Sequence, residues 1–227
     1  MKLLEAVLAQ PVASPVKQGD PILDPPVSIH ALKRQANEVC ALFKTPTVAL
    51  NLIDDDPTVG VAVDRFIEAG HLAEARRLLA FAMDRRDAIW WAYLSAMEAA
   101  RHKDLTTEQQ KGLDLVLSWL IDPNDIRRKQ CKEAMRDCKS TSIAGILCFA
   151  VWLSGGSISP YARRHIEPKP HVCGKLCGVV VYLSSVYFDP SRWTTYLKHF
   201  LDTGVLVAKG ECPIPLPGPL PAKAGPA

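Results

Sequence analysis

A chain of 227 residues, 48% apolar and 22% charged, can bury one sizeable core and lies far from the composition of a disordered polymer. Its 27 Lys and Arg against 24 Asp and Glu leave a net charge of +3, too even a balance for the dense positive field that grips a phosphate backbone, so nucleic acid is not the expected partner. Seven cysteines, an odd number at scattered spacings, argue against a disulfide framework and for reduced thiols in a cytoplasmic protein.

Residues 1–10 hold an apolar run that Glu5 interrupts, too short for a signal peptide, and read as a short amphipathic helix. Such a helix could also lie on a membrane surface. Pro11, Pro15, Pro21, Pro25 and Pro26 make an extended tether through residue 27. Ser28 opens a helix to about Lys44, with Ile29, Leu32, Ala36, Val39, Cys40 and Phe43 on one stripe. Residues 47–56 fit either a helical turn or a short strand, stopped by Asp54, Asp55 and Asp56.

Pro57 suits the first turn of a helix that Gly70 ends. The next, over residues 71–83, sets Leu72, Ala75, Leu78, Leu79 and Ala82 against Glu74, Arg76 and Arg77 on the outer side. Asp84 caps a helix to about His102, and Thr106 with Gln109 forms a capping box for another through Leu120. A highly charged surface helix spans Pro123 to about Cys138 with a thin apolar stripe. A fully apolar helix follows Ser140 or Thr141 and stops at Ser154-Gly155-Gly156. Two more lie near residues 174–187 and 190–203, and a Pro-rich tail occupies residues 213–227. The two greasiest runs, residues 143–153 and 176–188, fall short of the roughly 18 to 20 apolar residues that cross a bilayer and read as buried helices. The fold class is all-α: a helical domain over residues 28–212, arranged as an antiparallel multi-helix bundle or an irregular stack of helical hairpins.

Little in this pattern carries chemistry. His165, His171, Cys173 and Cys177 mix ligand types that zinc accepts, but Cys173 and Cys177 do not form the paired knuckles of a structural site. This region is the basis of an alternative reading as a metal- or thiol-dependent enzyme. Cys131 and Cys138 share one helix face and read as packing. No Gly-rich phosphate loop is present, and no cofactor is expected. Trp90 and Trp91 are more informative, because adjacent helical residues diverge by about 100° and cannot share the centre of one narrow stripe. Either one indole sits at an edge and marks a binding surface, or several helices bury both.

The segments Asp84-Arg85-Arg86-Asp87-Ala88-Ile89-Trp90-Trp91-Ala92, Trp119-Leu120-Ile121-Asp122-Pro123, Leu153-Ser154-Gly155-Gly156-Ser157-Ile158-Ser159-Pro160 and Leu201-Asp202-Thr203-Gly204-Val205-Leu206-Val207-Ala208-Lys209-Gly210 occur in this order. Over residues 57–212 the chain resembles an uncharacterised bacterial all-helical family, a domain of unknown function. The resemblance implies an accessory or adaptor role near secretion machinery such as type VI systems, with a protein partner and no catalytic residues to carry over. The chain is richer in Cys and Lys than that family, so the resemblance lends a thiol role no support. The expectation is a cytoplasmic protein–protein interaction adaptor rather than an enzyme, with Trp90, Trp91, Tyr93, Gly155 and Gly156 as its candidate interface.

Overall fold

The computed structural model describes residues 28–102, 104–159 and 164–214, which form eleven α-helices and no named strand. The helix expected over residues 1–10, the tether to residue 27 and the tail after residue 214 lie outside the described residues.

The single helix expected over residues 28–44 is two, α1 (Ser28–Lys33) and α2 (Ala36–Cys40). Between them Gln35 pairs with Thr58 in an isolated antiparallel bridge. The Ala36 N–H donates to the Pro57 carbonyl at 2.9 Å and the Val59 N–H to the Arg34 carbonyl at 2.8 Å. Ala31, Ala36, Val39 and Cys40 are all buried, so the apolar stripe runs across the break and conceals it. Residues 47–53 are helical, not extended: α3 (Thr47–Leu50) continues into a 3-10 turn, Asn51–Ile53.

Pro57 stands ahead of α4 (Val59–Glu68), whose N-cap is Thr58. Gly70, at φ 78°, turns the chain into α5 (Leu72–Ala82), and α6 (Arg85–Ala100) follows. The capping box that opens α7 (Thr107–Ile121) is present in both halves: Thr106 Oγ1 accepts from the Gln109 N–H at 3.3 Å, and Gln109 Oε1 accepts from the Thr106 N–H at 3.2 Å. Asn124 caps α8 (Asp125–Asp137), accepting from the Arg127 N–H at 2.9 Å. Ser142 caps α9 (Ile143–Trp152), accepting from the Gly145 N–H at 3.0 Å.

Helix α10 (Pro170–Phe188) begins four residues earlier than the sequence suggests, because Pro170 sits in its first turn, where a missing N–H costs nothing. Helix α11 (Trp193–Lys209) runs through Gly204 to a left-handed Gly210, φ 75°. Gly204 is a close-packing residue and not the stop that its identity suggests.

Helix α6 is the centre of the fold. It packs chiefly on α10, with α7, α9 and α11 on its other sides. A helix enclosed in this way is apolar around most of its circumference, as Ala88, Ile89, Trp90, Trp91, Ala92, Tyr93, Ala96 and Ala99 are. Within α10, His171–Phe188 is long and apolar enough to cross a membrane by length and composition, with a mean hydropathy of 1.4. In this fold α10 packs against α5, α6, α9 and α11.

Two charged residues expected on outer faces lie inside. Glu74 is buried and pairs with Arg77 at 3.5 Å. Arg128, only 5% exposed, turns the thin stripe of α8 into a tethered face. Its Nη1 donates to the Trp152 carbonyl at 2.8 Å, its Nη2 to the Ser157 carbonyl at 3.3 Å, and its Nε and Nη2 to Asp125 at 2.9 and 2.6 Å.

Candidate functional site

The aromatic residues that the sequence singles out are core residues. Trp91 is fully buried and Trp90 is 3% exposed. The Trp91 Nε1–H donates to the Phe200 carbonyl at 2.6 Å, and the Trp90 Nε1–H to the Cys212 carbonyl at 2.8 Å. Tyr93 stacks on Trp90 with ring centroids 5.7 Å apart, and burial pushes its hydroxyl up to about 12. Trp90, Trp91 and Tyr93 therefore do not form an exposed interface. Helices on several sides of α6 take both indoles, one into α11 and one against the chain that follows it.

The Gly155 and Gly156 loop is a structural seat. Arg85 Nη1 donates to the Ser154 carbonyl at 2.6 Å. Gly156 has φ 62°, and a Cβ there would lie 2.8 Å from Arg128 Nη2, so backbone geometry and contact both require glycine.

Cys173, Cys177, His165 and His171 are not brought together. Both cysteines are fully buried, and burial together with the neighbouring Cys173 thiol holds Cys177 well above its ordinary value. His165 is exposed and 3.2 Å from Glu167, whereas His171 lies nearly parallel to the Phe81 ring with centroids 6.0 Å apart. The two histidines line different cavities. Among the described residues, no group of three or more His, Cys, Asp or Glu side chains is placed to hold a metal ion. Cys138 and Cys148 instead crowd Gly112 of α7, where Cys138 Sγ donates to the Glu108 carbonyl at 3.1 Å.

Among the described residues, a groove of about 870 Å³ lies between α5, α10 and residues 42–46. It arises because α10 comes close to α5. A side chain at Gly174 would collide with the Ala80 carbonyl, and the Gly178 carbonyl accepts from Arg76 Nη1 at 2.6 Å. The floor is apolar, with Phe43 and Phe81 at 5.1 Å and Val172, Val179 and Pro46 beside them. Leu42, at its edge, is 47% exposed.

The charge around this floor has one sign. Lys44, Arg76, Arg77, Lys169, His171 and Lys175 line the groove, and no Asp or Glu does. Arg77 is paired with Glu74, but among the described residues Lys44, Arg76, Lys169 and Lys175 form no ion pair. Arg76 is the least comfortable of them. Its Nε is buried without an acceptor, and its guanidinium lies 5.5 Å from the Tyr182 ring. Desolvation, reinforced by adjacent Arg77, draws its pKa down to about 10.

A second cavity of about 610 Å³, between α8 and the loop after α9, also contains cations. There Asp125 holds Arg128 and Lys129, the latter at 2.7 Å, and the Lys132 ammonium lies 4.4 Å from the Trp152 ring centroid. Arg128, Lys129 and Lys132 are thus held by the fold, whereas Lys44, Lys169 and Lys175 of the α5–α10 groove have no ion partner among the described residues. Sequence reading missed the groove because its cations are spread from residue 44 to residue 175. The local signal was Gly174 and Gly178, four apart on one helix face and flanking Lys175.

No curated protein and no solved structure matches the chain. A family model described as a family of unknown function matches residues 62–208, from α4 through α11 and including the α5 and α10 walls of the groove. The chain belongs to that family of unknown function, DUF6931.

Proposed function

We propose that the protein is a non-catalytic adaptor that docks a partner protein in the α5–α10 groove. The observation that carries this reading is the set of cations over an apolar floor with no carboxylate among the lining residues. A fold gains nothing from gathering like charges, so such a groove suits a partner that supplies the opposite sign. The bacterial, cytoplasmic setting and an accessory role in a secretion system, implied by the sequence resemblance, belong to the same proposal. The odd number and scattered spacing of the seven cysteines support the reducing compartment. Burial of Cys173 and Cys177 weighs against the thiol enzyme, since a nucleophile must be reached and ionised.

The test is crosslinking and mass spectrometry on the protein tagged at native level in the organism that makes it, beside a Lys44→Glu/Lys169→Glu/Lys175→Glu variant. The expected result is a stoichiometric partner whose crosslinks map to Lys169 and Lys175 and which the variant loses. A partner captured equally by both forms overturns the groove as the docking surface.

A further inference from the structure

Resting on the adaptor reading, the chemistry of the partner can be specified. We infer that the α5–α10 groove takes a short acidic segment of a protein, in which an apolar side chain seats between carboxylates that meet Arg76, Lys175 and Lys169.

The groove has two kinds of surface, and the segment must answer both. Phe43, Phe81, Val172 and half-exposed Leu42 offer an apolar seat. A long anionic molecule with no apolar part, such as a phosphate chain, would leave that seat wet. The rim offers positive charge alone. From His171 to Val179 the α10 wall spans about 12 Å, the reach of about four extended residues. That scale fits a short linear segment, not a folded domain face.

Arg76 is the expected point of greatest discrimination. Nη1 is held by the Gly178 carbonyl, which fixes the guanidinium, while Nη2 has no acceptor among the described residues. A carboxylate placed there completes a half-desolvated charge that the fold leaves without an ion pair, and such charge-assisted bonds are the stronger ones. Fixing by Gly178 also means that little side-chain freedom is lost on binding. Nucleic acid and anionic lipid are the competing anions. Each would use the cations, but neither needs a narrow groove with a Phe43–Phe81 floor at its base.

The experiment is selection of a phage-displayed random peptide library on the full-length protein, followed by fluorescence polarisation of the enriched peptides. The same assays use a dT20 oligonucleotide and phosphatidylglycerol vesicles as probes. Enriched peptides are expected to carry at least two acidic residues around an apolar one. Their affinity should fall by about tenfold or more in Lys169→Glu/Lys175→Glu, whose changes are on the surface, and several-fold in Arg76→Lys, which keeps charge but loses the planar fork. Enrichment of neutral or basic peptides overturns the inference, as does binding that these variants do not weaken. Tight binding of dT20 or vesicles with no peptide enrichment overturns it in favour of those anions. Failure of the inference remains separable from failure of the adaptor reading. A groove-dependent partner found by crosslinking, combined with non-acidic peptides here, leaves the adaptor standing and removes only the acidic segment.

Discussion

Trp91 occupies the space that a side chain at Gly204 would need. A Cβ at Gly204 would lie 2.6 Å from Trp91 Cε2 and 2.8 Å from Leu79 Cδ2, so α11 can approach α6 only because this position is bare. Alanine raises helix propensity by up to about 1 kcal/mol, but overpacking a core costs about 1 to 3 kcal/mol. Gly204→Ala is therefore expected to lose roughly 1 to 2 kcal/mol in urea unfolding. An unchanged or raised midpoint would mean that α11 moves aside freely.

Arg128 and Gly156 should be energetically coupled. Gly156→Ala introduces left-handed strain of about 1 to 2 kcal/mol and also displaces the guanidinium. Arg128→Met leaves the Trp152 and Ser157 carbonyls without that donor, at about 1 to 3 kcal/mol. In the Arg128→Met background the steric part of the glycine substitution disappears. A double-mutant cycle is expected to give a coupling above about 0.5 kcal/mol, and strict additivity would contradict the packing described.

Asp87 contributes stability on the acid side. Burial, with the nearby Asp84 charge, pushes its carboxyl up to about 6 from an ordinary 3.8. Between those values the folded state holds more protons than the unfolded chain, so this contribution to stability falls as pH rises through the window and levels off above it. A fully enclosed carboxyl shifted this far would account for about 3 kcal/mol, and partial solvent contact reduces that to about 1. Chemical denaturation from pH 4 to pH 7 should show the fall in the wild type and a flatter profile in Asp87→Asn. Equal profiles would refute the assignment.

Thiol accessibility tests the fold and the enzyme alternative together. Six of the seven cysteines are buried, and Cys212 is partly exposed. With a disulfide reagent at neutral pH, no more than one thiol is expected to react quickly in native protein, and all seven in denaturant. Rapid labelling of Cys173 or Cys177, identified by peptide mapping, would revive the thiol reading.

Legibility in the sequence followed the range of the cause. The capping box at Thr106, the stop at Gly70 and the loop at Gly156 are local, and all three are where the sequence puts them. The break at Gln35 comes from a bridge to Thr58, and the early start of α10 from its Pro170 turn. Propensity around residue 35 contains no trace of a partner 23 positions away. The same limit governs the site. Trp90 and Trp91 look unusual locally, yet their burial depends on Cys212 and Phe200. Lys44, Arg76 and Lys175 look ordinary, yet the close approach of α10 to α5 makes them one surface.

The partners of the two indoles also set a timetable for synthesis. Trp91 waits for Phe200, 109 residues later, and Trp90 for Cys212, 122 residues later. At about 5 to 20 residues per second, α6 leaves the ribosome roughly 6 to 24 seconds before the chain that closes over it. Throughout that interval neither indole N–H has the carbonyl that accepts from it in the finished fold. Truncations that end before α11 should therefore accumulate as chaperone clients or aggregates, whereas the finished chain has a route to its own core.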